Sequence, residues 1–265
     1  MRMRKLILNR KKTTIMLVSK AREYAKINYQ SMNLGGVTLQ FSKMIKYLGI
    51  WLDEKLKWST HIKEMEKKCN QMIAQMSVVM KSTCGYATNH RRIMIYGTVG
   101  AYLKYGSAIY AKALITKKNE EIINRIHRKM LIIIGKLYRT VSNIPATIIC
   151  GCFPLKYDST ITAAVYEAKK KTDVGTLLLK KEKIGESILK EYKKKMRKEA
   201  IQKWNEEWTK TEKGAWTKIL LPEAREHNEV CDFYLSQGLS GGAFGSYLRK
   251  MNLSLIHISE PTRPY

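Results

Sequence analysis

Residues 46–80 read KYLGIWLDEKLKWSTHIKEMEKKCNQMIAQMSVVM, and the hydrophobic period changes inside this stretch. As far as Leu52 the apolar residues are crowded and β-prone, which predicts a strand from Lys46 to Leu52 interrupted at Gly49. From Thr60 onward Ile62, Met65, Cys69, Met72, Ile73, Met76, Val79 and Met80 fall on one helical face. Lys63, Glu64, Glu66, Lys67 and Lys68 take the wet side. Ser59 or Thr60 supplies an N-terminal cap, and Gly85 closes the helix. The methionines are assigned to core filling, with a methionine-rich groove for a partner helix as the minor alternative.

Working outward, the N-terminal side continues the β signal. Thr14 to Val18 and Val37 to Phe41 are short apolar runs, and Asn33-Leu34-Gly35-Gly36 is a hairpin-type turn. Residues 1–46 hold eleven Lys or Arg against one acid, Glu23, a local net charge of +10. The C-terminal side is helical. One candidate opens at Asn89 and runs through Ile93, Tyr96, Val99 and Leu103, loosened by Gly97, Gly100 and Gly106. Another spans Asn119 to Ile134 with Ile122, Ile123, Ile126, Met130 and Ile133 inward. Arg125, Arg128 and Lys129 then form a basic outer surface beside His127. Asn143, Pro145, Gly151 and Pro154 mark a loop-rich bend and an internal boundary between about residues 136 and 158.

After Thr160 the chain is helical and strongly charged. Ile184, Ile188, Tyr192, Met196, Ala200, Trp204 and Trp208 recur every four residues. Such a stripe drifts around a helix of 3.6 residues per turn, so it implies a curved or two-sided contact. Lys193, Lys194, Lys195, Arg197 and Lys198 form a dense basic patch beside it, suited to phosphate contact or to plain solvation. Gly238, Gly241, Gly242 and Gly245 make a turn cluster before a short helix at Ser246 to Met251.

Composition restricts function. The chain has 265 residues, 49 Lys and Arg, 22 Asp and Glu, and a net charge of +27, which points to a polyanionic partner, nucleic acid above all. With 45% hydrophobic residues it has the material for a core. Only Asp53, Asp158, Asp173 and Asp232 are aspartates, far apart in sequence, whereas two-metal chemistry needs clustered carboxylates. Cys69, Cys84, Cys150, Cys152 and Cys231 are odd in number and irregular in spacing, unlike a secreted disulfide framework. His61, His90, His127, His227 and His257 form no metal-ligand motif, and neither a Gly-x-Ser-x-Gly elbow nor a Walker loop occurs. The longest apolar runs, such as Met130 to Ile134, are far short of the roughly twenty residues that span a bilayer. No signal-peptide pattern is present, so the expectation is no membrane and no secretion, with residence in nucleus or cytoplasm.

An ordered set of segments carries a resemblance. Leu8-Asn9, Lys12-Thr13 and Ile15-Met16-Leu17 read LN..KT.IML, followed by KYLGIWLDEKLKWSTHI at 46–62 and IHRKMLIIIGKLYRTVSNIPATIICGCFPLKYD at 126–158. WNEEWTKTEKGAWTKILLPEA follows at 204–224 and VCDFYLSQGLSGGAFGSYLRKM at 230–251. This set resembles the C-terminal half of the second open reading frame of an arthropod non-long-terminal-repeat retrotransposon, over roughly residues 6–252.

The resemblance implies a reverse-transcriptase map. The fold expected is mainly α, with short β-hairpin elements of a palm edge and primer grip at the N-terminus, then a thumb-like helical bundle and a helical linker. Its boundaries are 1–58, 59–135 and 136–252, with 253–265 a non-native tail. Lys12 would sit late in the palm, and Tyr47, Leu48 and Gly49 in the primer-grip hairpin. Lys12, Arg125, Arg128, Lys129, Lys193, Lys194, Lys195, Arg197 and Lys198 would meet RNA or DNA. The family's double-aspartate motif is not in this sequence, and no cysteine–histidine knuckle follows FGSYL. No catalytic residue and no metal ligand is therefore assigned, and Mg belongs to the complete parent polymerase, whose palm and fingers would be partners. The function expected is a fragment of an RNA-directed DNA polymerase, inactive alone, with nonspecific template–primer binding. The alternative is a non-catalytic structural or interaction domain of a retroelement protein.

Overall fold

The computed structural model describes residue 9 and residues 12–18, 31–34, 36–80, 86–179, 182–226 and 233–240. The expectations at Gly35, Gly85, Gly241, Gly242, Gly245, the helix at 246–251 and the tail from 253 lie outside these residues. The chain divides into two units, residues 1–64 and 65–265.

The first unit is built on two hairpins. β1 (Ser31–Leu34) pairs antiparallel with β2 (Val37–Gln40), Leu34 opposite Val37. The turn between them carries Gly36 at φ +83°. β3 (Met44–Tyr47) pairs antiparallel with β4 (Ile50–Asp53), Tyr47 opposite Ile50. The segment from Lys46 to Leu52 is thus two strands and a tip rather than one interrupted strand. Leu48 (φ +46°) and Gly49 (φ +83°) both occupy the left-handed region, the pattern of a two-residue turn whose twist suits flanking strands. Glycine accepts this freely, whereas leucine does so at a cost of about 1–2 kcal/mol. The run from Thr14 to Val18 contributes a single parallel bridge, Ile15 to Phe41. Asp53 then turns the chain: its Oδ1 accepts the Lys57 N–H at 2.8 Å and its carbonyl accepts the Leu56 N–H.

α1 (Ser59–Val79) follows, and the unit boundary falls within it. Ile62, Met65, Cys69 and Ile73 are buried at helical spacing, as is Met80 just beyond it. Lys63, Glu64, Lys67 and Lys68 are exposed, as expected for an amphipathic helix. Val79, expected inward, is half exposed at the fraying end.

In the second unit, the helix expected from Asn89 to Leu103 is broken into pieces. α2 (Thr88–Ile95) passes into a π turn at Tyr96–Gly100 and then α3 (Ala101–Lys104). Gly106 at φ +66° reverses the chain into α4 (Ser107–Tyr110), followed by a 3-10 turn at Ala111–Ile115. The buried apolar side chains are Ile95, Val99 and Leu103, four apart, a spacing that the wide π turn keeps on one side. Ile93, expected inward, is exposed at 62% because it lies off this side.

α5 (Lys117–Gly135) is the central helix, packed by α2, α6, α7 and the 3-10 turn. Ile122, Ile123, Ile126, Met130, Leu131 and Ile134 are buried, each apolar side chain contributing about 1.5–3 kcal/mol when fully removed from water. Ile133 is only half buried. The helix ends with Lys136 in the left-handed conformation (φ +49°) and the Leu137 N–H on the Ile132 carbonyl at 3.0 Å. Gly135 is not the left-handed residue. It is the last residue of α5, and a Cβ there would lie 2.8 Å from Cys150 Sγ, so it allows close approach rather than chain reversal.

The segment expected as a loop-rich bend contains a buried helix, α6 (Asn143–Ile149), packed on α5 with Pro145 in its first turn. α7 (Leu155–Leu179) and α8 (Glu182–Lys210) pack along one another. Of the stripe, Ala200, Trp204 and Trp208 are buried, whereas Tyr192 and Ile188 are exposed and the side chain of Ile184 lies outside the described residues. A four-residue step advances about 400°, so the stripe rotates by about 40° per step and leaves the core. Trp204 Nε1 donates to Thr147 Oγ1 at 3.1 Å, Trp208 Nε1 to the Leu221 carbonyl at 3.0 Å, and Phe153 meets Trp204 edge-on. α9 (Ala215–Leu220) and α10 (Phe233–Leu239) complete the described elements. The architecture is a pair of β-hairpins followed by a mostly helical bundle.

Two substitutions separate the roles at the end of α5. Gly135→Ala should destabilise the protein by about 1–3 kcal/mol, because Cys150 must move. Lys136→Gly should stabilise it by up to about 1 kcal/mol by relieving the left-handed backbone. Urea unfolding of both variants checks the signs.

Candidate nucleic-acid interface

The basic residues singled out by sequence fall into three structural situations. The first is the hairpin tip. Tyr47 is exposed at 63% and Leu48 at 71%, carried on the strained turn with Gly49. Beside the tip, Lys46 Nζ sits 5.7 Å above the Trp51 ring, and the Trp51 N–H reaches His61 Nδ1 at 3.4 Å. Burial pushes the His61 imidazole below its ordinary pKa. Lys12 is exposed, and its backbone N–H is tied to the Asn9 side chain and carbonyl.

The second situation is the outer side of α5, where each cation is engaged inside the protein. Arg125 pairs with Glu66 of α1 at 3.2 Å, and Lys129 Nζ donates to Asn70 Oδ1 at 2.8 Å. Arg128 donates to the Val141 carbonyl at 2.6 Å and also to the Arg139 carbonyl. His127 is not beside this surface but fully buried, where its Nε2 meets the Tyr96 hydroxyl at 2.8 Å. Burial holds the imidazole down at about 3, so it is neutral.

The third is α8. Lys193, Lys194, Lys195 and Lys198 are exposed, and no hydrogen bond or ion pair joins their ammonium groups to another described residue. At 100° per residue they fan over an arc of about 200° around the helix, with Lys193 at the edge of the arc nearest Ala200 and Trp204. Lys190, which composition alone did not single out, is exposed within the same arc. Arg197 belongs elsewhere. It bonds Glu226 Oε2 at 2.7 Å, approaches Asp158 at 4.0 Å and stacks 4.7 Å from the Phe153 ring.

Sequence reasoning also missed two charged junctions. Lys156 of α7 bridges Glu120 of α5 (2.9 Å) and Glu207 of α8 (2.5 Å). Burial acts to lower its pKa, but hydrogen bonds and charge from Glu207 and Glu120 outweigh that and hold it above the ordinary lysine value. Lys104 of α3 pairs with Asp158 of α7 at 2.5 Å. These partners are 36 to 54 residues apart, so no local pattern announces them. Among the described residues no group of three or more His, Cys, Asp or Glu could hold a metal ion. No described helix is long and apolar enough to cross a membrane.

The chain is distantly homologous to Pol polyproteins of R1-type retrotransposable elements. It is 26% identical over 233 residues to a Retrovirus-related Pol polyprotein from type-1 retrotransposable element R1 4 of Nasonia vitripennis, covering 84% of this chain and 58% of that protein. It is 25% identical over 230 residues to the corresponding R1 polyprotein of Bradysia coprophila, covering 84% of this chain and 23% of that protein. The chain therefore spans less than two thirds of these relatives. No family model matches it, and no solved structure matches it.

The buried imidazole has a pH consequence. In the unfolded chain His127 binds a proton below about 6.5, whereas in the fold it stays neutral down to about 3. Its contribution to stability is full above 6.5 and is lost progressively as pH falls toward 3. The midpoint of urea unfolding should therefore fall over this window, and His127→Gln should flatten the slope by about one proton.

Proposed function

We propose that this chain is a nucleic-acid-binding portion of a retroelement RNA-directed DNA polymerase, contributing charge and positioning rather than metal chemistry. Residues 1–58 would be a palm edge with the primer grip at Tyr47, Leu48 and Gly49. Residues 59–135 would be a thumb-like region, 136–252 a linker, and 253–265 a tail without a role. The observation that carries the binding is the α8 arc: Lys193, Lys194, Lys195 and Lys198 have no partner among the described residues, on a chain of net charge +27. Distant homology to R1 Pol polyproteins supports the context. Exposed ammonium groups on a helix neutralise backbone phosphates and release counterions, giving affinity without base readout. Arg125, Arg128 and Lys129 would add to the field around the bundle while remaining engaged with Glu66, backbone carbonyls and Asn70.

Magnesium in this reading belongs to the complete polymerase. Among the described residues the donor set does not suit it: Asp53 accepts a backbone N–H and Asp158 is held by Lys104 and Arg197. Palm and fingers would supply the chemistry as partners.

A second reading, a structural or interaction module, draws on one observation. Leu17, Val18, Met32, Leu34, Met44, Tyr47 and Leu48 of the first unit are all exposed apolar side chains. Such a concentration suits docking to another polypeptide.

Salt-dependent binding discriminates the two. Replacing Lys193, Lys194, Lys195 and Lys198 together by glutamine preserves helix propensity. On duplex it should reduce the slope of log K against log salt by about 3–4, and on a single strand by about 2–3. An unchanged slope, or no binding to either nucleic acid at low salt, would reject the α8 reading in favour of the docking module.

A further inference from the structure

A cleft of about 300 Å³ opens in the second unit between α2, α3, the start of α7 and α8. Its polar side carries Arg92, Lys104 and Arg197 with Asp158 and Glu226, and its apolar side carries Ile93 and Phe153. Three cations face two carboxylates, so the cleft retains one positive charge. The volume lies at the lower end of ordinary ligand sites, enough for one nucleotide-sized molecule and too small for a duplex about 20 Å across.

The hydrogen bonds are incomplete in a specific way. Arg92 gives one N–H to the Cys150 carbonyl at 2.6 Å, but its Nε is buried without a partner among the described residues. Glu226 accepts from Arg197 through Oε2, while Oε1 is buried without a donor among the described residues. Lys104 uses one of its three ammonium donors on Asp158, and Arg197 Nη1 stands 4.0 Å from the same carboxylate, beyond hydrogen-bond reach. Buried polar groups in folded proteins are normally satisfied, so a spare donor and a spare acceptor in the walls of one cleft mark groups that a side-chain shift would offer to a ligand. The surplus charge asks that the ligand be anionic. The exposed Ile93 rim and the Phe153 wall ask that it carry an apolar or planar body.

We propose that this cleft is a binding site for one unpaired nucleotide. Its phosphoryl oxygens take donors from Lys104, Arg197 and Arg92, its base lies along Ile93 and Phe153, and a base N–H reaches Glu226. The choice of a nucleotide over another organic anion rests on the nucleic-acid reading above. The site is separate from the α8 lysines. That arc grips a strand by charge alone, whereas the cleft selects a base that is not in a helix. The nucleotide comes free or as part of a single strand, and the same chemistry serves both.

The test follows the Ile93 δ1 methyl by NMR in the full chain, titrated at low salt with thymidine 5′-monophosphate, an eight-residue oligothymidylate and inorganic phosphate. The proposal expects a saturable shift with the oligonucleotide, with or without one from the mononucleotide, and no shift with phosphate. A free-nucleotide response identifies the monomer as a ligand, and its absence restricts the site to a strand. Lys104→Gln should weaken the response about tenfold, the loss of one charge-assisted hydrogen bond. Lys104→Arg should hold it within about twofold, and a far-UV spectrum checks that both variants fold. A silent methyl with both nucleotide probes overturns the proposal, as does an equal shift with phosphate alone or an unchanged response in Lys104→Gln. Failure of the α8 reading looks different: the four-lysine variant then keeps the salt slope, while the methyl shift is unaffected. Salt-dependent binding of the oligonucleotide beside a silent methyl removes the cleft proposal alone.

Discussion

Carboxylates are the scarce component of this chain, and where they sit organises the second unit. There are 22 acids for 49 Lys and Arg. Several described acids lie at junctions between elements. Glu120 and Glu207 hold Lys156 between α5, α7 and α8, Asp158 holds Lys104 and approaches Arg197, and Glu66 joins α1 to Arg125 of α5. Exposed ion pairs contribute little, about 0–1 kcal/mol. The Lys156 bridge differs, because its side chain is mostly buried and removing either carboxylate would leave charge with fewer partners in a poorly solvated place. The α8 cations Lys193, Lys194, Lys195 and Lys198 have no such partner among the described residues and face solvent.

The apolar packing and the charged junctions reinforce each other. α5 is enclosed by α2, α6 and α7, and His127 in its core is accommodated as a neutral ring against Tyr96. Close approach of α6 is possible because Gly135 has no side chain where Cys150 lies. The two indoles of α8 then close over α6 with both N–H groups satisfied. Lys156 and Arg197 stand at the rim of this same cluster, beside Tyr157 and Phe153. Neutralising the α8 lysines therefore leaves the core untouched, whereas altering the acids disturbs it.

Much of the fold was legible in sequence where local rules suffice. The helical faces of α1 and α5 followed from spacing, and Gly49 marked the tip of the second hairpin even though the strand reading around it was too simple. What could not be read was the partner of each charge. Arg125, Arg128 and Lys129 look the same in sequence as Lys193, Lys194 and Lys195, yet the first three are tied to Glu66, backbone carbonyls and Asn70, whereas the ammonium groups of the others meet no partner among the described residues. His127 looked like part of a basic surface because its neighbours are charged, but helical rotation places it on the opposite side. The π turn at Tyr96 altered the face of α2 in a way that no alternation of residue types signals. The cleft assembles residues from 92 to 226 and had no sequence signature at all.

The central claim is that internal carboxylates occupy a few cations and leave the α8 lysines open to a polyanion. Site-resolved lysine acetylation, read by mass spectrometry with and without nucleic acid, tests it most directly. The account predicts slow modification of Lys156 in both conditions, and fast modification of Lys193, Lys194, Lys195 and Lys198 that nucleic acid suppresses. Equal reactivity of Lys156 and the α8 lysines, or α8 reactivity indifferent to nucleic acid, would contradict it.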